Sequence, residues 1–176
     1  VFLTGSARST EAVITGTATA RDGVDIRYAA MGSGSPTLLF IHGWNCDRRY
    51  WSDQLAYFAE QHQVVAIDLA GHGESGLQRT EWTIGQFGAD VASVADQLAL
   101  DDVILVGHSM GGPVALEAAR QLEGRTKMII GADTLNDVSI TFPEAQLNGM
   151  RAAMEGDFRS TVEGLVRNSF FLADSD

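Results

Sequence analysis

Ser109 stands at the centre of "GHSMGG", with Gly107 and Gly111 two residues to either side. A serine hydroxyl is a poor nucleophile at neutral pH unless a base takes its proton and the backbone presents it well. The G-x-S-x-G spacing suits that presentation: small residues on both sides let a strand turn sharply into a helix with the serine at the apex. The same five residues can also form a plain tight turn. What separates the two readings is the surrounding sequence, a β-branched apolar run before ("DDVILV") and a helical pattern after ("ALEAARQL").

A serine of this kind needs a histidine beside it and a carboxylate behind the histidine. The chain has four histidines, His42, His62, His72 and His108, and all of them precede Ser109. His42 belongs to a strand-end turn and reads as structural. His62 precedes a strand and is expected at the surface. His72 lies in the glycine-rich loop "GHGES" at a strand end, and the side chain of His108 should point away from its neighbour. None is a convincing base. For the acid, Asp133 closes the strand after the Ser109 helix and is the leading candidate, with Asp137 weaker.

The elements that would position these residues alternate in period. "AVITGTATARDGVDIRYAAMGSG" reads as two strands joined by an Asp22-Gly23 hairpin turn. "TLLFIHG", "QVVAIDLAGHG", "DDVILVG" and "KMIIGAD" are short apolar runs of the kind found in strands buried on both faces. Helical spacing lies between them, including Trp51, Leu55 and Phe58. A Thr83…Gln86 capping box opens a helix with Ile84, Phe87, Val91, Val94 and Leu98 on one face. Strands separated by single helices give βαβ units, hence an α/β fold with a mainly parallel sheet and helices on both faces. The loops "HGW", "DLAGHGES", "GHSMGG" and "GADT" then leave the carboxyl ends of the strands together.

Three regions are expected: a polar leader over residues 1–12, the α/β core over 13–136, and the start of a helical cap over 137–176. The last region carries an apolar stripe of Phe158, Val162, Leu165 and Val166, and Phe142 is a candidate substrate contact. The net charge of −11 argues against a nucleic-acid partner or an anionic membrane surface. No apolar run approaches the length of a membrane span. The lone Cys46 allows no intrachain disulfide and reads as a small buried hydrophobe. The leader tips localisation towards export. Histidine and carboxylate spacings suggest no metal site, and no cofactor is indicated.

Taken together and in this order, "FIHGW", "DLAGHGES" and "LVGHSMGG" resemble the α/β-hydrolase fold superfamily in its serine esterase-like branch. The resemblance implies Ser109 as nucleophile, with the backbone N–H groups of Met110 and Trp44 as the oxyanion hole. The Trp44 side chain then becomes a wall of the substrate pocket. It also implies later strands and a histidine loop, so the catalytic histidine is expected in a C-terminal part beyond Asp176. The substrate would be a small-molecule ester or related acyl compound. A serine at the elbow argues against chemistry that needs a carboxylate nucleophile. Two readings stay beside it: a non-catalytic small-ligand-binding or signalling protein on the same fold, and an inactive form that pairs with a second copy into a homodimer through an open sheet edge.

Overall fold

A computed structural model describes residues 12–137, 139 and 141–169. The expected leader over 1–12 therefore lies almost wholly outside the described residues. The described chain divides into two compact units, one up to Asn136 and one from Asp137.

The first unit is a six-stranded sheet in the order β1-β2-β4-β3-β5-β6. Strands β1 (Ile14–Thr19) and β2 (Asp25–Met31) form an antiparallel hairpin, closed at Asp22-Gly23 with Gly23 at φ 87°. Strand β2 pairs antiparallel with β4 (Val64–Ile67). From there the sheet is parallel, β4 against β3 (Thr37–Ile41), β3 against β5 (Val103–His108), and β5 against β6 (Thr126–Ala132). The expectation of a mainly parallel sheet holds.

Strand alternation divides the core into two layers. Leu39, Ile41, Val65, Ile67 and Leu105 point to one face, where they pack with Val91 and Val94 of α2 (Ile84–Gln97) and Val114 and Ala118 of α3 (Gly111–Gln121). Leu38, Phe40, Val64, Ala66 and Val106 point to the other, where Leu55 of α1 (Ser52–Phe58) covers them. All five residues of β3 are buried, as a strand with helices on both faces requires. Thr83 caps α2, its side chain accepting from the Gln86 N–H at 3.2 Å. Strand β6 is an outer strand of the sheet and leaves Met128 55% and Ile130 43% exposed.

Two positions differ from expectation. His62 is half-buried rather than exposed, its Nδ1 lying 3.1 Å from the Pro36 carbonyl, because the strand it precedes enters directly beside Pro36. Cys46 is only half-buried, in the loop after β3, and burial pushes its thiol up from the ordinary value.

The second unit contains α4 (Glu144–Gly156) and α5 (Phe158–Ser169). Val162 and Leu165 of the apolar stripe are partly covered, while Phe158 and Val166 are about half exposed. No described helix is long and apolar enough to cross a membrane.

Candidate active site

Strand order explains where the site lies. From β3 the chain passes through α1 to β4 on one side. It then crosses back through α2 to β5 on the other side of β3. The chain therefore leaves β3 and β5 towards opposite sides, which makes this the switch point at which open α/β sheets carry their sites. Gly43 follows β3 and Ser109 follows β5. Two steps past the Ile41↔Gly107 pair and one step past His108↔Ala132, Ser109 stands in a row with Gly43 on one side and Asp133 on the other.

The elbow is tight. Ser109 has φ 51°, in the left-handed region that costs an ordinary residue roughly 1–3 kcal/mol. Its N–H donates to the Ala132 carbonyl at 3.2 Å, and its carbonyl accepts from Gly112 at 3.0 Å. A Cβ at Gly107 would be driven into the Gly111 carbonyl, and one at Gly111 into the carbonyl of Ile41. The small residues flanking the serine are thus demanded by backbone packed on backbone. Ser109 itself is exposed at the apex, and α3 begins immediately after Met110. The N–H groups of a first helical turn lack intrahelical acceptors and favour nearby negative charge.

The β3 loop meets the elbow just as closely. A Cβ on Gly43 would lie 3.0 Å from the Ser109 Cβ and 3.0 Å from His108 Nδ1. The Trp44 ring is 40% exposed. Asp133, at the end of β6, is exposed and also left-handed at φ 48°. Phe142 belongs to the second unit, where it is 58% exposed ahead of α4, and Asp137 opens that unit with its carboxylate on the Ser139 N–H at 2.9 Å.

The histidines are all otherwise engaged. His42 is 1% exposed, with Nδ1 2.7 Å from the Gly43 carbonyl and Nε2 accepting from the Leu69 N–H at 3.0 Å. Burial depresses its pKa below the ordinary value. The His72 ring packs against His42 at a tilt of 54°, centroids 5.1 Å apart, with Nδ1 3.0 Å from the Ala70 carbonyl. His108 turns to the α1 face, edge-on to Trp51 at 6.5 Å. Among the described residues no histidine hydrogen-bonds Ser109, and no group of three or more His, Cys, Asp or Glu could hold a metal ion.

Sequence reasoning missed two polar clusters that hold the rim. Asp68, fully buried at the end of β4, accepts from the Arg48 N–H at 2.7 Å and the Glu74 N–H at 2.9 Å, and pairs with the Arg48 guanidinium. Arg79, its side chain 2% exposed, pairs with the buried Asp90 of α2 at 2.5 Å and with Asp22 of the hairpin turn at 2.7 Å. Alternating charge in "NCDRRYW" and "GHGES" hints at the first. Nothing local signals the second.

Comparison with known proteins places this arrangement. A region of 98 residues is 42% identical to the dihydrolipoyllysine-residue acetyltransferase component of the acetoin cleaving system of Cupriavidus necator, covering 56% of this chain and 26% of that protein. A region of 118 residues is 40% identical to a non-heme haloperoxidase of Rhodococcus erythropolis, covering 65% of this chain and 43% of the relative. The chain thus spans less than half the length of either. The solved structure of an N-acyl homoserine lactone degrading enzyme superposes with a TM-score of 0.75 at 26% identity, over 86% of this chain and 56% of the other. The family model for the alpha/beta hydrolase fold matches residues 36–172, which takes in β3, the Ser109 elbow and both helices of the second unit. With strand order, elbow and family model in agreement, the chain belongs to the α/β-hydrolase fold family.

Proposed function

We propose that the protein is a serine hydrolase that cleaves a carboxylic ester or related acyl bond through an acyl-enzyme on Ser109. The observation that carries this reading is the Ser109 elbow: an exposed hydroxyl at φ 51°, ahead of a helix N-terminus and against Gly43. In this reading Ser109 Oγ attacks the acyl carbon as its proton passes to a histidine base. The carbonyl oxygen takes up the negative charge between the backbone N–H groups of Met110 and Trp44. Collapse of the tetrahedral intermediate breaks the bond to the alcohol, which leaves with the proton from the histidine. Water then repeats the sequence and frees the acid. Each fixed backbone donor of this kind contributes about 10²–10³ in rate.

Asp133 is the proposed acid that orients the base, because it ends the strand next to Ser109. His42, His62 and His72 lie against backbone groups elsewhere and His108 turns to Trp51, so the reading calls for a base from outside residues 1–176. The substrate class draws support from the lactone-degrading structural relative, whose substrate contains a cyclic ester. A serine at the elbow speaks against epoxide or haloalkane chemistry through a carboxylate nucleophile. Trp44 is proposed as a pocket wall and the substrate as a small molecule; pairing of two copies through an open sheet edge belongs to the alternative, an inactive homodimer.

The test is treatment of the full-length protein with a fluorophosphonate, followed by peptide mass spectrometry and p-nitrophenyl ester assays. A single adduct on Ser109, with hydrolysis abolished in Ser109→Ala, is the expected result. No adduct and undiminished hydrolysis in that variant would remove the reading, and no adduct with no turnover would favour a ligand-binding protein.

A further inference from the structure

His42 presents an observation that the hydrolase reading leaves unused. Gly43 has no Cβ because Ser109 and His108 occupy the space one would fill. That close approach has a cost in definition. Without a Cβ, little steric restraint prevents the Gly43–Trp44 peptide from turning over. In a trans peptide the C=O and the next N–H point in opposite directions in one plane, so any rotation that moves the Gly43 carbonyl also re-aims the Trp44 N–H.

The side chain of the preceding residue supplies a restraint on the carbonyl of that peptide. The Leu69 N–H donates to His42 Nε2 at 3.0 Å, so Nε2 carries no proton. A neutral ring must then carry its proton on Nδ1, which lies 2.7 Å from the Gly43 carbonyl and donates to it. The Cys46 N–H donates to the same carbonyl at 3.2 Å. The ring cannot swing away, since it is 1% exposed and packed against the His72 ring. The far end of the same loop is anchored next door to Leu69, where Arg48 binds the carboxylate of Asp68 through backbone and side chain. Both ends of the β3 loop are therefore braced on residues 68–69.

We propose that His42 is a positioning residue: its neutral, Nδ1-protonated ring holds the Gly43 carbonyl and so aims the Trp44 N–H at the developing oxyanion. The catalytic consequence rests on the hydrolase reading above; the peptide geometry does not.

Three variants of the full-length protein separate this role from simple core packing. His42→Asn keeps a donor near the Nδ1 position, His42→Gln keeps an acceptor near the Nε2 position, and His42→Ala keeps neither. Loss of alignment at a reacting centre costs up to about 10²-fold, so His42→Ala and His42→Gln should lose about that much in kcat on a p-nitrophenyl ester, with KM little changed. His42→Asn should recover most of it. The proposal is overturned if Asn is no better than Ala, if Gln alone rescues, or if a folded Ala variant keeps its kcat. Nitrogen-15 NMR of the wild-type ring supplies a second readout that needs neither activity nor a variant. It should show Nδ1 protonated and Nε2 bare, and the opposite tautomer would sink the idea. Should the wild-type protein hydrolyse no ester and take no fluorophosphonate, the hydrolase reading alone fails. The tautomer, and the Trp44 amide signal compared between the Asn and Ala variants, would then decide the positioning role.

Discussion

Ser109 and Asp133 end neighbouring parallel strands one step past the His108↔Ala132 pair, and both turn left-handed, at φ 51° and 48°. Adjacent strands lie about 4.8 Å apart, so the two turns are neighbours at the same edge of the sheet. The Ser109 N–H bond to the Ala132 carbonyl locks the two turns to each other. A carboxylate placed this way can hold a histidine in the tautomer that accepts the serine proton.

Asp133→Asn tests that placement with little risk to the fold. Asn tolerates the left-handed conformation well, and the side chain is exposed. Loss of a triad carboxylate with geometry kept costs about 10⁴-fold in kcat. Steady-state ester hydrolysis of the full-length variant should show a loss of that order, with thermal unfolding unchanged. Near-wild-type kcat would move the acid elsewhere.

Two glycine substitutions should separate function from stability. In Gly43→Ala the new methyl meets the Ser109 Cβ and His108 Nδ1 at 3.0 Å, so the nucleophile or the oxyanion loop has to give way. Activity should fall about tenfold or more while the melting temperature changes little. In Gly111→Ala the methyl meets the Ile41 and His42 carbonyls, backbone that cannot step aside. That variant should lose about 1–3 kcal/mol of stability in urea denaturation. Equal stability losses for the two would contradict this division.

Much of the elbow was legible because its demands are local. Gly107 and Gly111 are spaced by the turn itself, Thr83 caps the helix that its own next residues form, and Asp22-Gly23 closes a hairpin of its own neighbours. Arg79 was not legible, since its partners Asp22 and Asp90 are chosen by the sheet and helix that bring them together. His42 was half legible: its place at a strand end is local, but its second bond goes to Leu69, set by the pairing of β3 with β4. His62 was misjudged for a similar reason, because its half-burial depends on Pro36 arriving beside it.

The Arg79 cluster should dominate the stability of the first unit. Arg79 lies over the rings of Trp82 and Phe87 at 5.8 and 6.0 Å, and its hydrogen bonds hold the Asp22 carboxyl below the ordinary carboxylate range. Arg79→Met would leave the fully buried Asp90 without its counter-charge, at a cost of about 3–5 kcal/mol. The double variant Arg79→Met/Asp90→Leu should regain most of that loss, because an apolar pair needs no desolvation of charge. Urea denaturation of the two variants decides it: a single variant within 1 kcal/mol of wild type, on the order of an exposed pair, would show that the cluster is solvated in practice.

Stability should also fall with acid through His42. Burial is the main cause of its depressed pKa, aided by His72, while the Gly43 carbonyl and the carboxylates of Asp68 and Asp47 oppose the shift. Above the ordinary value of 6.5 the ring is neutral in both folded and unfolded chains and pH has no effect through it. As pH falls below 6.5 the unfolded chain takes up the proton first, so the folded state loses stability until its own lower pKa is reached. One such group contributes a slope of at most about 1.4 kcal/mol per pH unit. Protonation of Nε2 would also break the bond from Leu69, leaving the β3 loop held at Arg48 alone. Denaturation midpoints measured between pH 7.5 and about 5 should therefore fall for the wild type and fall less for His42→Asn. Parallel curves for the two proteins would assign the acid sensitivity to another group.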